Sequence, residues 1–211
     1  RRTGRRQSVE IEVVTPQPVS LPVAGAAACA RVEGTMVERQ IRFRPNAKVE
    51  RVEATQVVLA DGTVIPGDLV ILVPPHRPPA VIKASGLTDG REWVRSDPQT
   101  LATSAPGVFA VGDLTEISIP GGQMLPKAGI FAERQGQVVG RNLAAVIAGR
   151  EPDARFDGRG YCFIEVGEGQ ASMVDGNFFS DPLDVDVLTP AAEHLAAKVA
   201  FERERLLQWF A

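Results

Sequence analysis

Gly112 and Asp113 close an apolar run through Ala110 and Val111, and Pro126-Lys127-Ala128-Gly129 leads into a long helical stretch. A glycine at a strand tip lets the main chain approach a ligand that a side chain would block. The aspartate beside it offers an acceptor to hydroxyls. The first amides of a helix are unpaired donors that suit an anion. Strand tip, loop and helix in this order suit an anionic cofactor, with a phosphate or a flavin ring at the helix start. Each piece also has an ordinary reading, because many α/β proteins end a buried strand in Gly-Asp without binding anything.

Cys162 is the sharpest candidate for covalent chemistry. A thiolate can attack or receive sulfur, provided a neighbour lowers its pKa. Its competing role is packing between Tyr161 and Phe163, since a free cysteine fills apolar space well. Cys29, in an alanine-rich stretch, reads as a packing residue. The two cysteines show neither zinc spacing nor a secreted disulfide framework, which points to a reducing compartment. Glu165 and Glu168 read as solvated strand and turn carboxylates. His76, among prolines, and His194, at the start of a helix, lack a second ligand, so no metal is expected.

The elements that must position these groups follow from periodicity. Val9, Ile11, Val13 and Val14 read as a buried strand of a parallel sheet. Pro22 opens a helix carrying Ala26 to Ala30, Val32 and Met36 toward Glu38, and Ile41 to Phe43 makes the next strand. Val49–Val52 and Gln56–Leu59 read as short strands, Asp61-Gly62 as a tight turn, and Val64 as its return, with Asp68 to Val73 re-entering the core. Pro74, Pro75, Pro78 and Pro79 make a stiff boundary. The segment 128–148 carries apolar residues at helical spacing, and Cys162–Val166 and Ala171–Phe179 read as a hairpin before Pro182 and a final helix near 191–210.

A 211-residue chain with 44% hydrophobic content and net charge −3 can bury one or two cores and has no general field for nucleic acid. The basic run Arg1, Arg2, Arg5 and Arg6 reads as a solvated tail. No apolar run approaches the roughly 20 residues needed to span a bilayer, and no signal peptide is visible, so membrane contact is expected to be peripheral.

Thr103-Ser-Ala-Pro-Gly-Val-Phe-Ala-Val-Gly-Asp113 resembles the second FAD-contacting motif of the two-dinucleotide-domain disulfide reductase superfamily. Met124-Leu-Pro-Lys-Ala-Gly129 and Gly160-Tyr-Cys-Phe-Ile-Glu-Val-Gly-Glu-Gly169 resemble the carboxy-terminal half of sulfide:quinone oxidoreductases and flavocytochrome c sulfide dehydrogenases. The resemblance implies an α/β fold: a partial Rossmann-like parallel sheet with a β-meander, then a C-terminal β-hairpin and helix. It implies residues 1–80 as the later part of a nucleotide-binding domain, 81–150 as the end of an FAD domain, and 151–211 as a quinone, membrane or interface region. The glycine-rich turn that seats FAD in the family is not found, so the chain is expected to begin mid-domain and to be inactive alone.

By the same resemblance FAD is the cofactor, contacted by Gly112, Asp113, Pro126, Lys127, Ala128 and Gly129. Lys127 would stabilise negative charge on the flavin's pyrimidine edge. Cys162 would carry a persulfide, its partner cysteine lying upstream. Phe163, Ile164 and Phe201 would wall a quinone pocket. The final helix, with Leu206, Leu207, Trp209 and Phe210, would lie on a membrane surface or pack on a neighbouring domain. The implied partners are sulfide, quinone, the missing amino-terminal half and a further copy of the chain, and the implied location is the cytoplasm or its membrane face. Two other readings stay open: an NAD(P)H-dependent flavoprotein such as a type II NADH:quinone oxidoreductase, and a non-catalytic interaction module.

Overall fold

The computed structural model describes residues 6–211 and divides into two compact units, Arg1–Pro75 and His76–Ala211. Arg1, Arg2 and Arg5 of the basic run lie outside the described residues. Arg6 is not a free tail residue: its guanidinium donates to the Arg39 and Gln40 carbonyls. A cation is favoured there by the helix dipole.

In the first unit β1 (Ile11–Val14) runs parallel to β2 (Ile41–Arg44), with α1 (Ala26–Glu38) as the crossover. Gly25, at φ 84°, turns the chain into α1, where Ala28 and Cys29 are buried. The Cys29 thiol donates to the Leu21 carbonyl at 3.2 Å, in keeping with a packing role.

The sequence predicts β1 as a buried strand of a parallel sheet, and it is parallel to β2, but Ile11 and Val13 remain 38% and 37% exposed. Strand alternation explains this. Ile11 pairs with Ile41 and Val13 with Phe43, while Glu12 pairs with Arg42. Glu12 is also ion-paired with Arg42 at 3.3 Å and Arg44 at 2.6 Å, so one face of the two-stranded sheet is ionic.

The antiparallel meander β3 (Val49–Val52), β4 (Gln56–Leu59) and β5 (Val64–Pro66) follows the sequence pattern. Its tight turn uses Gly62 at φ 86°, and the Asp61 carboxylate accepts the Thr63 amide at 2.9 Å. Asp68 to Val73 does not re-enter the core: Leu69, Ile71 and Val73 are exposed, and the segment joins no ladder.

The second unit begins with the short α2 (Ala80–Ala84) and the two-residue parallel pair β6 (Val94–Arg95) and β7 (Thr115–Glu116). The strand expected to end at Asp113 is extended chain with one isolated bridge, Ala102 to Phe109, followed by a 3-10 turn over Gly112–Leu114. The long helix α3 (Gly129–Ile147) comes next. The antiparallel sheet of β8 (Arg159–Gly167), β9 (Gln170–Asn177) and β10 (Asp184–Val187) then leads to α4 (Ala192–Phe210). Strand β10 adds to the expected hairpin, and Asp184-Val-Asp-Val187 alternates as an edge strand does.

Phe131 of α3 meets Phe156 and Phe178 edge to face, with centroids 6.1 and 5.1 Å apart. This aromatic core requires Gly160 on β8, because a Cβ there would collide with the buried Phe131 ring. Gly160→Ala is expected to destabilise the second unit by about 2 kcal/mol, as overpacking of a rigid core does. The check is a lowered denaturant midpoint at unchanged slope.

Candidate functional site

The site is built on the 3-10 turn at Gly112–Leu114, the lead-in Met124–Ala128 and the start of α3. Gly112 sits at φ +69°, and a Cβ on it would lie 3.0 Å from the Ala132 Cβ. The close approach that the sequence suggested for a ligand is here an approach to α3. The Gly112 amide donates to Gln135 Oε1 at 2.6 Å, and Gln135 is 1% exposed. Thr115 returns its amide and its hydroxyl to the Gly112 carbonyl, the hydroxyl at 2.8 Å.

Lys127 binds the other side of the same turn. Its Nζ donates to the carbonyls of Asp113 at 2.5 Å and Thr115 at 3.2 Å, and lies 3.6 Å from the centre of the Trp93 ring. Two of its three N–H donors are thereby used, and the indole face covers the charge. Burial pulls the Lys127 pKa below its ordinary value, while Asp113, Glu116 and Glu92 oppose that shift. Pro126 and Ala128 are half-buried in the extended lead-in, and Asp113 is exposed.

Helix α3 starts without a side-chain cap. The Ala128 carbonyl accepts from Phe131 and Ala132, which leaves the Gly129 and Ile130 amides with no acceptor among the described residues. Gly129 is exposed, with open space where a side chain would be. An exposed carboxylate beside an uncapped helix start fits a cofactor that carries both hydroxyls and an anionic group.

Cys162 lies mid-strand in β8, paired with Val174. It is a free thiol on an exposed residue, and partial desolvation of its sulfur pushes its pKa up. Alternation along β8 puts Cys162 and Ile164 on the face of Gly160, which packs on Phe131 near the start of α3. Phe163 lies on the opposite face. Phe163 and Phe201 both approach Tyr161, with ring centroids at 5.8 and 6.0 Å, so they come together around that tyrosine while Ile164 faces away.

Glu165 is ion-paired with Lys198 of α4. His194 lies with Nδ1 3.2 Å from the Ala171 carbonyl, and His76 is exposed. The residues missed at the sequence level are Gln135, Trp93 and Tyr161. Gln135 did carry a signal: with Asn142 it is a polar side chain among Phe131, Val138 and Ala145 on the buried face of an amphipathic helix.

This fold, with its glycine-acid turn against an open helix start, is that of the FAD-dependent oxidoreductases. Residues 3–136 match the pyridine nucleotide-disulphide oxidoreductase family, and the chain belongs to it. The family and its structural neighbours are flavoproteins that use FAD, so FAD is the cofactor.

The chain is 25% identical over 122 residues to the mitochondrial sulfide:quinone oxidoreductase of Mus musculus, covering 57% of this chain and 26% of that protein. It is 33% identical over 149 residues to an NADH oxidase of Methanocaldococcus jannaschii, covering 67% and 33%. The sulfide:quinone oxidoreductase structure from Aquifex aeolicus superposes on 98% of this chain and 51% of its own, with TM-score 0.81 and 21% identity. The chain therefore spans about half of that structure and a third or less of those two curated relatives. Among the described residues, no helix is long and apolar enough to cross a membrane.

Two measurements probe this geometry. Lys127→Met is expected to cost about 1–2 kcal/mol by leaving two carbonyls without their donor, read by denaturation with Trp93 emission as the local signal. Because burial raises the Cys162 pKa, its alkylation should reach half-maximal rate at higher pH in the folded chain than in the unfolded one. Peptide mass spectrometry separates Cys162 from Cys29 in that assay.

Proposed function

We propose that the chain forms the carboxy-terminal part of a sulfide:quinone oxidoreductase-like flavoenzyme in which Cys162 carries sulfur. The observation that carries this reading is the packing of Gly160 on Phe131. It joins the strand bearing the thiol to the helix whose open start follows Lys127. Support also comes from the extent of the likeness to the Aquifex structure, at TM-score 0.81, against 0.58 for the NAD-dependent persulfide reductase of A. fulgidus.

FAD, when bound, supplies a two-electron acceptor. At the chain's own atoms, the Cys162 sulfur forms an S–S bond with the sulfur of hydrogen sulfide. Joining the thiol and hydrogen sulfide in a persulfide would release two protons to solvent and two electrons, for which the bound cofactor would be the acceptor and a quinone the final one. Partial desolvation of its sulfur raises the Cys162 pKa, which disfavours the thiolate. In the proposed step hydrosulfide attacks an oxidised Cys162, breaking its S–S bond to a partner sulfur in the remaining part of the polypeptide and releasing that sulfur as a thiolate. Lys127 holds a positive charge at the turn, where negative charge accumulating on a reduced cofactor would be offset.

The aromatic group Phe163, Tyr161 and Phe201 supports a quinone-facing role for the β8 and α4 contact. The exposed Leu206, Leu207, Trp209 and Phe210 on α4 support a membrane surface as the quinone's source. In this reading residues 1–80 complete a nucleotide-type domain, 81–150 a flavin-type domain and 151–211 the quinone end.

The 33% identity to an NADH oxidase favours a second reading in which NADH is the electron donor and Cys162 is incidental. Anaerobic addition of sulfide to the FAD-loaded protein is expected to bleach the flavin absorbance and reduce a soluble quinone. Cys162→Ser should lower that rate by about a hundredfold or more, as loss of a covalent nucleophile does. Bleaching by NADH alone, unchanged in Cys162→Ser, would establish the second reading instead.

A further inference from the structure

We propose that Gln135 is a positioning residue for the cofactor: from inside α3 it fixes the Gly112–Leu114 turn so that Asp113 offers a ligand both its carboxylate and its amide. This rests on the FAD assignment and is independent of the electron donor.

The polar groups of the turn are consumed one by one. The Gly112 amide goes to Gln135 Oε1 at 2.6 Å. The Gly112 carbonyl takes the Thr115 amide and hydroxyl. The Asp113 and Thr115 carbonyls take Lys127 Nζ. The Asp113 amide is left without an acceptor among the described residues, next to the exposed Asp113 carboxylate. An acidic side chain beside a free donor matches a ligand bearing hydroxyls and an anionic group.

Gln135 decides this division for two reasons. Gly112 occupies the left-handed region at φ +69°, and there its amide points into α3 toward Gln135. Among the described residues the acceptor inside that contact is Gln135, which is 1% exposed, so no water can replace it. Without it the Gly112 amide would be a buried orphan. The turn would then relax by rotating that amide outward, which moves the Asp113 amide that follows it. Lys127 holds the far end of the turn and does not touch the Gly112 amide, so it cannot compensate.

The test compares the wild-type chain with Gln135→Met, which keeps length and volume but removes the acceptor, and Gln135→Glu, which when buried and protonated still offers a carbonyl oxygen. In nitrogen–proton spectra of the chain, the Gly112 amide is expected to be protected from exchange, and FAD titration is expected to shift the Asp113 amide. Gln135→Met should abolish the protection and raise the FAD concentration needed for that shift by about tenfold, with helix content retained. Gln135→Glu should restore both.

Loss of protection with unchanged FAD affinity would overturn the inference, leaving Gln135 a structural residue. Protection retained in Gln135→Met would overturn it as well. A wild-type chain whose Asp113 amide does not respond to FAD would overturn it together with the placement of the cofactor at this turn. None of these signals involves Cys162 or sulfide, so a protein that passes them and still fails to oxidise sulfide loses only the sulfide reading.

Discussion

The contact between Gly112 and α3 is the constraint on which the second unit's site depends. A backbone turn is brought within van der Waals distance of Ala132, and only a residue without a Cβ, at positive φ, permits this. Once the two are that close, the turn's amide must find an acceptor inside the contact, and Gln135 is that acceptor. The turn's carbonyls point the opposite way and must find a donor, which Lys127 supplies from the residues just before the same helix. Turn, lead-in and helix start are thus one hydrogen-bonded object, and the groups left free on it are those that can meet a ligand.

Where sequence and structure agree, the signal was local. The meander follows from period-2 runs and an Asp-Gly turn, α3 from its apolar spacing, and the β8–β9 hairpin from the glycines at positions 167 and 169, both at positive φ. Where they differ, the deciding contact is distant in sequence. Gly112 read as making room for a ligand, yet its neighbour is Ala132, twenty positions on, which no local pattern reveals. Gln135, a polar residue on the buried face of α3, is explained by the turn it reaches. Asn142, seven residues later on the same face, behaves alike: it exchanges two hydrogen bonds of 3.0 Å with the backbone of Ala154. Polar residues on the buried face of α3 mark where loops are tied down. Ile11 and Val13 misled in another way, since a short apolar alternation does not tell how many strands flank it.

The thiol poses the opposite problem. Its place in β8 was legible, but its reactivity is set by surroundings. Burial raises its pKa, and among the described residues no cation opposes that shift. A group in that state resists attack as a nucleophile and tolerates being attacked when oxidised. The proposed chemistry at Cys162 accordingly takes sulfide as the nucleophile. The positive charge of Lys127 is already committed to the turn carbonyls and the Trp93 ring, and it is not among the causes of the shift at the thiol.

Helix α4 ties these parts together by charge more than by burial. None of its 19 residues is buried. It is held by Tyr161 against Phe201, by Lys198 to Glu165, and by Arg205, which pairs with Glu133 of α3 at 3.0 Å and lies over the Phe201 ring at 4.4 Å. Glu133 and Arg205 are only 13% and 20% exposed, so this pair is less screened than an exposed one. Glu133 is two positions before Gln135 on α3. The helix that holds the Gly112 turn is thereby also joined to the C-terminal helix by this ion pair. Because that link is electrostatic, its strength falls with ionic strength, whereas the Gly112 contact, being steric and buried, does not weaken with it.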